Sequence, residues 1–102
     1  MSIKKQTLKS KPVCKVTFGL DKKEVAKADT VNLVGNFNNW NEKSTQLTKL
    51  KSGAFKLVME VPVGQEYEFR YLVDGNTWMN DTTADKYVAS GIPGEQNCVI
   101  TL

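Results

Sequence analysis

The chain has 102 residues, 40% of them apolar and 25% charged, with a net charge of +3; that is enough for one globular domain with one core. It contains no histidine, which excludes Ser-His-Asp and Cys-His catalysis and histidine-ligated metals. No apolar run approaches the ~18 residues of a membrane helix, and Cys14 and Cys98 lie too far apart for a C-x-x-C zinc or redox pair.

Charge is unevenly spread. Residues 1–27 hold eight lysines against Asp21 and Glu24, and the rest hold six basic residues against nine acidic ones. Residues 1–11 read as a flexible basic arm ahead of a domain over 12–102. The arm has no apolar leader core, so a cytoplasmic protein with reduced thiols is expected. It carries no aromatic residue for base stacking, and neither nucleic acid nor a membrane is expected as a partner.

Short strand signals then recur. Over 13–20, Cys14, Val16, Phe18 and Leu20 alternate with polar residues, which is the period of a half-buried strand. Residues 21–30 are charged and read as a connection. Val31 to Gly35 form a second short strand. Asn36-Phe37-Asn38-Asn39-Trp40-Asn41 is a loop, because asparagine side chains bond nearby backbone and tolerate positive φ. Phe37 is expected to plug the end of the core from this loop. A brief strand is expected over Leu47–Leu50, followed by a turn at Ser52-Gly53.

Phe55, Leu57, Met59 and Val61 alternate over 54–61, and Pro62-Val63-Gly64 ends that run. Tyr67, Phe69, Tyr71 and Val73 alternate over 66–73, with Glu66, Glu68, Arg70 and Leu72 facing outward. Asp74-Gly75 is a hairpin signal, and a short strand should return over Thr77–Met79. Residues 80–96 read as irregular, and Cys98, Ile100 and Leu102 mark a last strand. The whole predicts an all-β antiparallel sandwich of about seven strands, with Cys14 and Cys98 as small buried thiols.

Trp40 and Trp78 stand apart from the strand pattern, each beside a turn among polar neighbours. An exposed indole is a flat apolar platform, and a sugar ring presents a flat C–H face with a hydroxyl rim. The competing reading folds both indoles back into the core or leaves them as incidental surface aromatics. Register decides for Trp78. A three-residue loop Asp74-Gly75-Asn76 pairs Leu72 with Trp78 and puts the indole beside Arg70. A two-residue loop pairs it with Tyr71 and points it inward.

The segment Leu33-Val34-Gly35-Asn36-Phe37-Asn38-Asn39-Trp40 matches the G-x-F-N-x-W pattern of family 48 carbohydrate-binding modules. The run Tyr67-Glu68-Phe69-Arg70-Tyr71-Leu72-Val73-Asp74-Gly75 resembles the same family's Y-x-[FY]-[KR]-[FY]-x-[VI]-D-G strand and turn. Trp78, Asp81 and Asn97-Cys98-Val99-Ile100 continue the likeness, which covers roughly residues 30–102. The family includes the glycogen-binding domains of AMP-activated kinase β subunits and the N-terminal domains of isoamylases and branching enzymes.

The resemblance implies an early-set immunoglobulin-like sandwich that binds α-1,4-linked glucan, whether polysaccharide or oligosaccharide, without cleaving it. Two tryptophans stack on glucose rings, matching Trp40 and Trp78. A basic residue matches Arg70, where the kinase domains carry lysine. A polar residue before the last strand falls at Gln96, or at Asn97 if the loop is shifted, and the kinase domains carry asparagine there. An apolar residue reached over the ligand edge matches Ile92. Neither cofactor nor metal is implied.

Two other classes compete with glucan binding. A module of this kind can dock on a separate glucan-metabolising enzyme, through its basic arm or unpaired outer strands. A glycosidase would need a pair of suitably spaced carboxylates; Glu60, Glu66, Glu68, Asp74, Asp81 and Asp85 are available but read as solvated.

Overall fold

Alternating apolar positions from two antiparallel sheets meet to make the core of the computed structural model, which describes residues 1–25 and 27–102. Nine strands occur among the described residues: β1 (Ser2–Thr7), β2 (Val13–Leu20), β3 (Val31–Gly35), β4 (Thr48–Lys49), β5 (Phe55–Pro62), β6 (Glu66–Val73), β7 (Thr77–Met79), β8 (Lys86–Ala89) and β9 (Gln96–Thr101). One sheet has the order β1-β2-β5-β4, the other β3-β6-β9-β8, and β7 pairs with β6. The all-β antiparallel sandwich is as expected, with two strands more than the sequence indicates.

β2 buries Cys14, Val16, Phe18 and Leu20, and β6 buries Tyr67, Phe69, Tyr71 and Val73. The Phe18 and Phe69 rings meet edge to face at 5.3 Å, and Phe69 meets Tyr71 at 5.7 Å. Such aromatic contacts, the first between the sheets and the second along β6, add to the apolar area they remove from water. Phe37 closes the end of this stack, its ring 5.6 Å from Tyr67 and 6.3 Å from Phe69. Cys14 and Cys98 are buried and free, one in each sheet. Desolvation pushes the Cys98 thiol up to about 11, so it stays protonated at neutral pH.

The two extra strands lie at sheet edges. The segment read as a flexible basic arm does not hang free over its first part: Ser2–Thr7 pairs with Cys14 to Gly19 of β2, with Ile3 packed against the core. Lys4, Lys5 and Gln6 stay in water, so the strand has no apolar alternation to betray it. β8 corrects the irregular reading of 80–96 and is likewise an exposed edge strand, paired with β9. The 21–30 connection contains Ala26, which lies outside the described residues.

That connection is held by the β6–β7 turn. Asp74 sits at φ +52° and Gly75 at +74°, the left-handed region that Asp and Gly tolerate. The Asp74 carboxylate accepts the backbone N–H groups of Asp29 at 2.7 Å and Thr30 at 2.9 Å. Those bonds, Thr30's first, hold its carboxyl below the usual range. A carboxyl depressed by folding adds stability above its unfolded value, and loses it as pH falls through the folded one. The acid limb of thermal unfolding, below about pH 4, is therefore expected to be shallower in Asp74→Asn than in the wild type. Superimposable limbs would contradict this.

Candidate functional site

The loop after β3 is built to present Trp40. β3 ends at Gly35, where an added Cβ would sit 2.4 Å from the Glu68 carbonyl oxygen, so only glycine allows this approach to β6. Asn38 then folds the loop on itself. Its amide donates to the Leu33 carbonyl (2.8 Å) and to Thr45 Oγ1 (3.1 Å), while its Oδ1 accepts the Gly35 N–H (3.1 Å). The Trp40 N–H donates to the Gly35 carbonyl at 2.8 Å. Asn39 and Trp40 take φ of +56° and +58°. For tryptophan this left-handed backbone costs on the order of 1–2 kcal/mol, offset here by the loop's hydrogen bonds.

Trp78 is placed by register. Leu72 pairs with Trp78 and Val73 with Thr77, which is the three-residue-loop alternative. The indole therefore leaves the sheet on the same side as Arg70. The Arg70 guanidinium lies over the ring, with Cζ 5.3 Å from the centroid, within cation–π range. Arg70 Nη1 donates to Glu95 Oε2 at 3.1 Å and Nε to Asn80 Oδ1 at 3.3 Å. Asn80 in turn donates to the Gln96 carbonyl at 3.0 Å. Beneath them the outward-facing Val34, Leu72 and Val99 are buried, so the outer face of this sheet is a covered apolar floor.

Trp40, Arg70, Trp78, Ser90, Ile92, Glu95 and Asn97 line one open groove of about 350 Å³. Both indoles are 39% exposed and Ile92 is 58% exposed. Five of the six residues named from the sequence are thus together. Gln96 is the exception. It alternates with Asn97 along β9, so its side chain leaves from the opposite face of the sheet, and it does not line the groove. Asn97 takes the position instead, its amide donating to Glu68 Oε1 at 3.2 Å.

The profile described as the glycogen recognition site of AMP-activated protein kinase matches residues 24–101. The chain belongs to that carbohydrate-binding family. No curated protein matches it. In this glycogen-recognition domain the match takes in the Trp40 loop, β6, β7 and all of β9.

Three groove features were not read from the sequence: Ser90, Glu95 and the Asn80 bridge. Glu95 adjoins Gln96, but only the register of β9 reveals which of these neighbours faces the groove. The carboxylates read as solvated are mostly engaged in structure. Asp81 corrects that reading outright, being 0% exposed, and it is the acceptor for the Tyr71 hydroxyl. Glu66 pairs with Lys86, and Asp85 pairs with Lys5 and accepts the Thr101 N–H.

Proposed function

We propose that this domain binds α-1,4-linked glucan, as glycogen, starch or maltooligosaccharide, by laying glucose rings on the Trp40 and Trp78 indoles, and that it does so without cleaving the chain. The observation that carries this reading is two half-exposed indoles lining one groove with a cation and an amide beside them. The rings offer apolar planes to the C–H faces of glucose. Arg70 retains N–H groups not committed to Asn80 or Glu95, and these donate to hydroxyls. Ile92 supplies an apolar edge. Glu66, Asp74, Asp81 and Asp85 are held by structural partners outside the groove, which argues for binding rather than hydrolysis. A glucan-metabolising enzyme acting alongside the domain is the matching partner class.

A stacked indole removes on the order of 100 Å² of apolar surface from water, contributing about 2–3 kcal/mol. Hydroxyl bonds exchange with water and add roughly 1 kcal/mol each, while association costs several kcal/mol. The expected dissociation constant for maltoheptaose is about 10 μM to 1 mM, and repeated chain ends strengthen attachment to glycogen. Titration calorimetry and tryptophan fluorescence with maltoheptaose should both report saturable binding. Silence in both at millimolar sugar would overturn the proposal.

Asn38 gives a finer check. Asn38→Ala removes three hydrogen bonds that shape the Trp40 loop but touches nothing in the groove. Maltoheptaose affinity is expected to fall about tenfold, from loss of a preorganised ring. An unchanged affinity would show that the loop needs no such support.

A further inference from the structure

Resting on the glucan reading above, we propose that Glu95 sets the charge class of the ligand: it holds Arg70 in a neutral ion pair, so that the groove accepts uncharged glucan and disfavours phosphorylated glucan. Among the described lining residues Arg70 is the one cation and Glu95 the one anion. An arginine beside a sugar platform is, taken alone, a phosphate site, because the guanidinium fork matches phosphate oxygens in two parallel bonds. Left unpaired, Arg70 would favour a phosphorylated ring on Trp78 over a plain one.

Glu95 alters that balance by where it stands. Arg70 is largely buried, with 13% of its side chain exposed, whereas Glu95 is 41% exposed. Glu95 is thus the more solvent-accessible partner of the pair, its carboxylate 3.1 Å from Nη1. An incoming phosphate meets this negative charge within a few ångströms, well inside the screening length of physiological salt. To grip Arg70 in two parallel bonds that include the Nη1 donor, it must also displace the carboxylate. A neutral hydroxyl meets neither obstacle. It can donate to the second Glu95 oxygen, or accept from a guanidinium N–H that Asn80 and Glu95 leave free. Asn80 keeps the guanidinium over Trp78 through Nε in either case.

The test compares maltoheptaose with maltoheptaose carrying a 6-phosphate on one glucose, titrated against the wild type, Glu95→Gln and the double variant Glu95→Gln/Arg70→Met. Glu95→Gln preserves shape and an acceptor oxygen while removing the charge. The wild type is expected to bind the neutral sugar at least as tightly as the phosphorylated one. In Glu95→Gln the affinity ratio should move about tenfold toward the phosphorylated sugar, the scale of one charge-assisted contact, and salt should erode that gain. The double variant should lose it, since the phosphate would be held by Arg70. A ratio unchanged in Glu95→Gln, or a wild type that already prefers the phosphorylated sugar, would overturn the role of Glu95 and leave glucan binding standing. Failure of the wild type to bind maltoheptaose at all would instead overturn the glucan reading, and the role of Glu95 with it.

Discussion

Trp78→Ala is expected to weaken maltoheptaose binding roughly 30- to 150-fold, the loss of about 2–3 kcal/mol of stacking. The indole is one of two flat surfaces in the groove, and it is also the plane over which Arg70 lies. Removing it takes away a platform and one of the three contacts that place the guanidinium, leaving those to Asn80 and Glu95, so the contacts Arg70 makes with hydroxyls weaken too. Trp40→Ala should cost a similar factor, because its ring stands in the groove on a loop preset to present it. Neither change should unfold the protein. Each ring is more than a third exposed, and its removal opens no cavity in the core between the sheets. Val58→Ala is the matching control. Val58 is an apolar side chain of comparable exposure on the outer face of the other sheet, and its loss should leave binding unchanged. Titration calorimetry of the three variants, with circular dichroism to verify folding, decides the matter.

Asp81→Ala should have the opposite character, destabilising the fold by roughly 3–5 kcal/mol. Its carboxylate is wholly buried and fully used. Oδ2 accepts the Tyr71 hydroxyl at 2.7 Å, and Oδ1 accepts the Thr83 N–H at 2.7 Å and the Thr83 hydroxyl at 2.6 Å. The Asp81 carbonyl accepts the Tyr87 hydroxyl at 2.5 Å, which ties β8 to the same point. Burial, followed by the neighbouring Asp81 charge, drives the Tyr71 phenol well above the usual tyrosine range, so it remains a donor at any working pH. Truncating Asp81 strands the Tyr71 hydroxyl in the core and releases the turn after β7. For a domain of this size, whose whole stability is of the order of 5–10 kcal/mol, that is a large fraction. Tyr71→Phe leaves Asp81 Oδ2 without its donor while Thr83 still holds Oδ1, and should cost about 1–3 kcal/mol. Urea unfolding midpoints measure both. A small effect for Asp81→Ala would mean that water replaces the carboxylate.

The contrast explains what was legible in the sequence. β2, β5 and most of β6 were readable because each turns one apolar face to the core, so apolar residues fall at every second position; β9 showed its inward Cys98 and Ile100, although Val99 on its outer face is buried too. β1 and β8 were not, because an edge strand exposed on both faces has no periodicity to show. Trp40 and Trp78 stood out through their polar turn neighbours. Whether Trp78 faced in or out depended on a loop of two or three residues, and both lengths suit an Asp-Gly turn. The observed register, Leu72 opposite Trp78 and Val73 opposite Thr77, settles it in favour of three. At β9, Pro93 and Gly94 hide where the strand begins, so the alternation of Glu95, Gln96 and Asn97 could not be phased. That one uncertainty displaced Gln96 from the groove and concealed Glu95. Asp81 was hidden for another reason: a buried acid is recognisable only from its partners, and Tyr71 is ten residues earlier on a different strand.

The central claim is that both indoles receive one ligand, and the two indole N–H resonances test it directly. In a titration with maltoheptaose, the Trp40 and Trp78 signals should both shift and saturate with a single dissociation constant, while backbone amides on the outer face of β1, β2 and β5 stay still. Indole signals that stay fixed while the sugar binds, or shifts centred on the β1-β2-β5 face, would contradict it.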